Sequence, residues 1–277
     1  MRAELPPGDR IVILVSLVLA GIALSSLTRF PTISLQADAF GTPVGLDLSG
    51  RWILTALLVL LAMVGTDAIV RAEAGRARID PRYTATFWIL PGLITLAAAF
   101  GLPQLFGAPL RWLPSTLLLG TLLALVIDAE YRTLHVGGPY YRTARLGLNM
   151  ATYLAAFALF AALYGLELRS LLSAPLVAAF GFPLALELLR GTEEQLETTW
   201  LYAGVVALVL GELTWALNLW GLRALAGGGL LLLAFYTLTG LGQQHLAGRL
   251  NRRVILEYGL TAVIGLAALL AASPLGF

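Results

Sequence analysis

The chain has no cysteine and no lysine, it has two histidines, and charged residues make up only 12% of it. Without cysteine there is no disulfide, no thiolate zinc site and no thiol nucleophile. Without lysine no Schiff base can form, which removes retinal-type chromophores. His135 and His245 are the whole imidazole supply, so neither a metal centre nor a bis-imidazole haem is expected, and no cofactor is called for. All eighteen basic residues are arginine, the side chain best suited to bidentate phosphate binding. Nothing in this composition points to nucleic acid.

What the chain does have is apolar surface. Hydrophobic residues make up 58% and the mean hydropathy is +0.84, far above a soluble domain. The expected fold class is all-α, a polytopic transmembrane helical bundle, and 277 residues allow about nine spans of roughly 20 residues each. The apolar segments run over 11–28, 52–70, 83–106, 112–130, 146–166, 170–189, 200–222, 226–245 and 254–273. The first is read as a retained anchor and not as a cleaved signal. One membrane domain, 1–277, accounts for the length. Residues 29–50 form an outer loop in which Pro31, Gly41, Pro43, Gly45 and Gly50 bracket alternating residues, a pattern of extended backbone. Pro91, Pro103, Pro114, Pro175 and Pro183 each remove a helix donor and are expected to kink or open their helices.

Arginine counting sets an expected orientation. With the N-terminus cytoplasmic, thirteen arginines fall inside, in the loops 71–82, 131–145, 190–199 and 246–253 and ahead of the first helix. Only Arg29, Arg51, Arg111, Arg169 and Arg223 fall outside. The C-terminus is then outside, and the expected location is a prokaryotic inner membrane.

The chain also hints at repetition. Residues 51–71 and 111–132 both open on Arg-Trp and close on Asp-Ala-x-x-Arg. Fainter copies end near Glu187 and His245, giving steps of 61, 59 and 58 residues from Asp67 through Asp128. One leading helix plus four repeated hairpins is the corresponding architecture, with two four-helix halves as the other parse.

Candidate site residues follow from this. Asp67 and Arg71, Asp128 and Arg132, and Glu187 and Arg190 are spaced to pair on one helix face. Structurally they are self-paired interfacial anchors. Functionally, convergent pairs would form a ring suited to an anionic lipid headgroup or an isoprenoid phosphate. Glu212 lies midway along its apolar run, where an ionisable group is expected to face the bundle interior near Thr95, Thr121, Tyr236 or Thr237. It is either a single interhelical hydrogen bond or the coupling group of a carrier. Gln243, Gln244, His245, Arg249, Arg252 and Arg253 crowd one boundary, and Glu257 is placed to pair with Arg253.

Glu193, Glu194 and Glu197 crowd the loop after the sixth helix, and Asp67 ends the second. Nine helices with acidic motifs at those two places resemble the membrane prenyltransferases, which would imply magnesium-diphosphate chemistry. The residues depart from that pattern. Thr66-Asp67-Ala68-Ile69-Val70-Arg71 stands where the family has Asn-Asp-x-x-Asp, and Glu193 with Glu197 replaces its Asp-x-x-x-Asp. Intramembrane Glu-Glu proteases match less, since Glu194 has no following arginine and Arg249 stands where an asparagine is needed.

No complete catalytic constellation is present, and no catalytic residue is assigned. The expected function is a non-enzymatic membrane subunit or scaffold whose basic inner face meets anionic lipid or a membrane protein partner. The alternatives are a lipid or small-solute transporter using Glu212, and a degenerate prenyltransferase-like enzyme.

Overall fold

The computed structural model describes residues 6–28, 31–39, 42–77, 84, 86–106, 112–135, 137–166, 170–190, 196–220 and 222–272. Among these are nine helices and one two-stranded hairpin. The helices are α1 (Pro7–Leu27), α2 (Gly50–Ala77), α3 (Ile89–Phe106), α4 (Trp112–Thr133), α5 (Tyr141–Gly165), α6 (Ser170–Leu189), α7 (Leu196–Leu217), α8 (Ala224–Leu246) and α9 (Arg252–Ala272). Six are long and apolar enough to cross a membrane: α1, α2, α5, α6, α7 and α8. Of the nine expected spans, these six are supported. The described apolar part of α3 is the shorter stretch Ile89–Ala99, and α9 opens with Arg252, Arg253 and Glu257.

The extended backbone expected within 29–50 is a hairpin, β1 (Thr32–Ala39) against β2 (Thr42–Ser49), antiparallel and in register from Thr32 opposite Ser49 to Ala39 opposite Thr42. It runs straight into α2, and the Gly50 amide closes the base on the Pro31 carbonyl at 3.3 Å.

The chain divides into two compact units, Met1–Leu134 and His135–Phe277. The boundary falls between α4 and α5, inside what the hairpin-repeat parse treats as one hairpin.

In the first unit α1 and α3 each pack against both α2 and α4. Small residues set the spacing. Leu58 of α2 lies over Gly21, Leu14 of α1 over Gly65, Leu19 of α1 over Gly120, and Met63 of α2 over Gly92. Lipid supplies no hydrophobic drive between helices, so close packing at such notches is what holds them. Buried Thr66 and Thr95 donate to the carbonyls of Ala62 and Pro91 one turn back, at 2.7 and 2.8 Å, so a polar side chain enters the core satisfied. Val70, Phe87, Leu134 and Tyr131 form an apolar cluster where α2 and α4 end.

In the second unit α5 packs on α8 and α6 on α7, with α6 and α7 also meeting α8. Phe160 of α5 meets Phe235 of α8 edge to face at 5.8 Å, both fully buried. Gly228 lies against the backbone of Ala161, and Gly227 makes room for the ring of Tyr164. The Tyr164 hydroxyl donates to Leu217 O at 2.8 Å, and the Asn218 amide donates to Ser173 Oγ at 2.8 Å, tying down the end of α7. Helix α9 lies along α8: Leu269 and Tyr258 sit over Gly229 and Gly240, while Leu233 of α8 sits over Gly265.

The proline expectation is partly corrected. Pro91 and Pro114 are third residues of α3 and α4, where a missing donor has no helical acceptor to lose. Pro175 and Pro183 lie inside α6, as expected.

Candidate functional site

The polar ends of the helices carry the candidate residues. In the first unit, Arg71 Nε donates to Asp67 at 2.8 Å and Arg132 Nε to Asp128 at 2.6 Å, one turn apart on α2 and α4. In sequence the first pair brackets Val70 and the second Tyr131, both members of the apolar cluster. Their guanidiniums stand out, with 63% of the Arg71 side chain and 44% of that of Arg132 exposed. An exposed pair at this spacing contributes roughly 0.3–0.5 kcal/mol, so these pairs orient charge more than they stabilise the fold.

The second unit is built differently. Glu187, in the last turn of α6, has 1% of its side chain exposed. Arg190 reaches its Oε1 at 2.8 Å, as the spacing suggests, and Arg145 of α5 approaches the same oxygen at 3.4 Å. Arg145 Nη2 also donates to the carbonyls of Glu187 and Leu188 at 2.7 and 3.1 Å, and Gln243 Nε2 of α8 donates to Leu188 O at 2.9 Å. The last α6 carbonyls have no helical donors of their own, so Arg145 and Gln243 act as a side-chain cap from two other helices. A guanidinium there also meets the negative end of the helix dipole. Glu187 Oε2 is buried without a hydrogen-bond partner.

Sequence spacing reveals the Glu187 and Arg190 pair but not Arg145, which lies 42 residues away. The same end carries His245, its ring 5.6 Å from that of Tyr202 at the start of α7. Beyond it the chain turns at Gly248, with φ +64°. The amides of Gly248 and Arg249 return to the carbonyls of His245 and Gln244, both at 2.9 Å, which is a Schellman closure of α8. Asn251 Oδ1 then accepts from the Val254 amide at 2.9 Å and caps α9. This short turn holds Arg249, Arg252 and Arg253 exposed, and Arg253 pairs with Glu257 at 3.0 Å as expected.

Glu212 departs from its expected place. Helix α7 spans Leu196–Leu217, so Glu212 lies five residues, about 7.5 Å of helix rise, from its end and not midway. It is exposed, turned away from α6 and α8, and makes no hydrogen bond or ion pair with any described residue. The side chains expected to meet it are otherwise engaged. Thr95, Thr121 and Thr237 each donate to the carbonyl four residues back. Tyr236 stacks between Tyr153 and Tyr258, at 5.6 Å from each, and the Tyr153 hydroxyl lies 3.4 Å from that of Thr239. An ionisable group at the centre of a span costs at least about 2.5 kcal/mol, and the shallower depth lessens that cost.

A chain built on six long apolar helices, with arginine-paired acids at their ends, matches one family model over residues 30–272. The chain belongs to the DUF5656 family. DUF5656 is described as a protein of unknown function, and its model takes in the hairpin and α2 to α9. No curated protein and no solved structure matches the chain.

Of the acids behind the prenyltransferase resemblance, Asp67 is paired with Arg71 and Glu197 is exposed in the first turn of α7. Glu193 and Glu194 lie outside the described residues. Among the described residues no group of three or more His, Asp or Glu is placed to hold a metal ion.

Proposed function

We propose that this chain is a multi-pass protein of a prokaryotic inner membrane, N-terminus inside and C-terminus outside, acting as a non-enzymatic membrane subunit or scaffold. Its basic cytoplasmic face binds anionic lipid. One observation carries the reading. The bonds joining Arg145, Glu187, Leu188 and Gln243 put the start of α5 and the ends of α6 and α8 together. Arg142, Arg249, Arg252 and Arg253 are therefore exposed at one end of the second unit, while Arg223 is the described arginine at the other.

Such a collar at an anionic leaflet contributes about 1 kcal/mol for each arginine near the surface. The interior supports a structural part. Arg145 and Arg190 are spent on Glu187 and on α6 carbonyls, and Arg71 and Arg132 are each held by an acid one turn back.

Native mass spectrometry of protein released from gentle detergent tests this, with phosphatidylglycerol and phosphatidylcholine added in equal amounts. Wild type retains phosphatidylglycerol preferentially. Arg249→Gln with Arg252→Gln reduces that retention without changing phosphatidylcholine, and equal retention by the two proteins overturns the lipid-binding reading.

A further inference from the structure

Helix α7 has two apolar faces, and the second unit covers only one. Ala203, Val206, Ala207, Leu210, Gly211 and Thr214 are buried against its neighbours. On the other side Leu201, Val205, Leu208, Glu212 and Trp215 are exposed, with Leu201 at 66%, Leu208 at 62% and Trp215 at 58%. These five positions advance by alternating steps of four and three, the seam by which one helix meets another in a left-handed pair. Beside the seam, Gly204 has open space where a side chain would be.

Lipid tails can cover an apolar stripe, but they offer nothing to a carboxyl group. Glu212 is the polar member of this seam, one turn deeper than Trp215, and it is without a described hydrogen bond. In lipid a polar side chain on a helix face drives association with a helix that can bond it. A carboxyl group is self-complementary, because two of them facing each other share protons, one oxygen accepting what the other donates. A two-fold axis along the membrane normal brings equal positions of two parallel α7 helices together at equal depth.

We infer that the α7 seam is a homodimer interface, with Glu212 of one copy bonded to Glu212 of a second copy of this chain. The apolar seam supplies the packing. The single polar position fixes the register, as one polar residue does in a coiled-coil seam. The inference is independent of the lipid-binding face and uses only the membrane setting.

The absence of cysteine makes the test direct. The full chain carrying Leu208→Cys is oxidised in vesicles at low protein density, beside Val263→Cys on the exposed side of α9. A disulfide-linked dimer is expected for the first and not for the second. Förster transfer between labelled copies of otherwise unaltered protein then gives the dimer dissociation constant. Glu212→Leu is expected to raise it roughly three- to thirtyfold, and Glu212→Gln, whose amide both donates and accepts, to restore most of the association. The reading is overturned if Glu212→Leu dimerises as well as wild type or if Leu208→Cys does not cross-link. It is also overturned if wild type is a monomer that keeps an amine-bearing phospholipid in native mass spectrometry and Glu212→Leu loses it. In that case Glu212 holds a headgroup.

Discussion

Replacing Arg145 with alanine separates a buried helix cap from a surface ion pair. In the native structure this guanidinium bonds the carbonyls of Glu187 and Leu188 at 2.7 and 3.1 Å and lies 3.4 Å from Glu187 Oε1. Fifteen per cent of its side chain and 1% of that of Glu187 are exposed, so water replaces these bonds poorly. A charge-assisted hydrogen bond contributes about 1.5–3 kcal/mol, and removing one partner of a buried pair costs about 3–5 kcal/mol. The carboxylate contact is long, and Arg190 still holds Glu187, so the expected loss for Arg145→Ala is about 3–4 kcal/mol. Arg71→Ala removes an exposed pair and costs no more than about 0.5 kcal/mol. Reversible unfolding in mixed micelles, driven by a rising fraction of dodecyl sulfate, measures both against wild type. Arg145→Lys should fall between them, because a single ammonium cannot span two carbonyls and a carboxylate. If Arg145→Ala lies within about 0.5 kcal/mol of Arg71→Ala, the capping account of this end is wrong.

Three further expectations need only single substitutions. A methyl group at Gly228 would sit 2.6–2.7 Å from the backbone of Ala161, which cannot yield, so Gly228→Ala should cost about 1–3 kcal/mol in the same unfolding assay. Gly204→Ala, with nothing within 4 Å, should be neutral or gain up to about 1 kcal/mol from helix propensity. For orientation, single cysteines at exposed Gly8 and Thr143 should react with a membrane-impermeant maleimide only in inverted vesicles. One at Leu219, 85% exposed, should react only in spheroplasts, and the reverse pattern would invert the proposed topology.

The apolar runs made most of the helices legible, since a backbone in lipid has few options besides a helix. Their ends were less so. Helix α5 begins at Tyr141 and not near 146, because Arg142, Thr143 and Arg145 continue the helix beyond its apolar part. The apolar run over 200–222 lies about one turn later than helix α7 itself. Asn218 to Trp220 look apolar enough to extend the helix, yet they form the turn that ends it, so Glu212 lies nearer the helix end than the apolar run implies. Local pairs such as Asp67 with Arg71 and Arg253 with Glu257 could be read from spacing alone. The Arg145 cap could not, since it depends on which helices are neighbours. The direction of Glu212 depends on packing as well, and periodicity alone does not say which of two apolar faces a unit covers.

The way α9 lies on α8 limits how it can move. Its contacts are keyed: side chains of α9 enter recesses at Gly229 and Gly240 of α8, and Leu233 enters the recess at Gly265 in return. The two recesses on α8 are eleven residues apart, about 16 Å of helix. Sliding α9 by one residue would withdraw every key together and press each against solid helix, so an axial ratchet between the two is blocked. Swinging α9 outward empties the recesses without collision, and the tight turn at Gly248 supplies the pivot. Any opening at this edge of the molecule is therefore a hinge motion that leaves the helix-to-helix register unchanged.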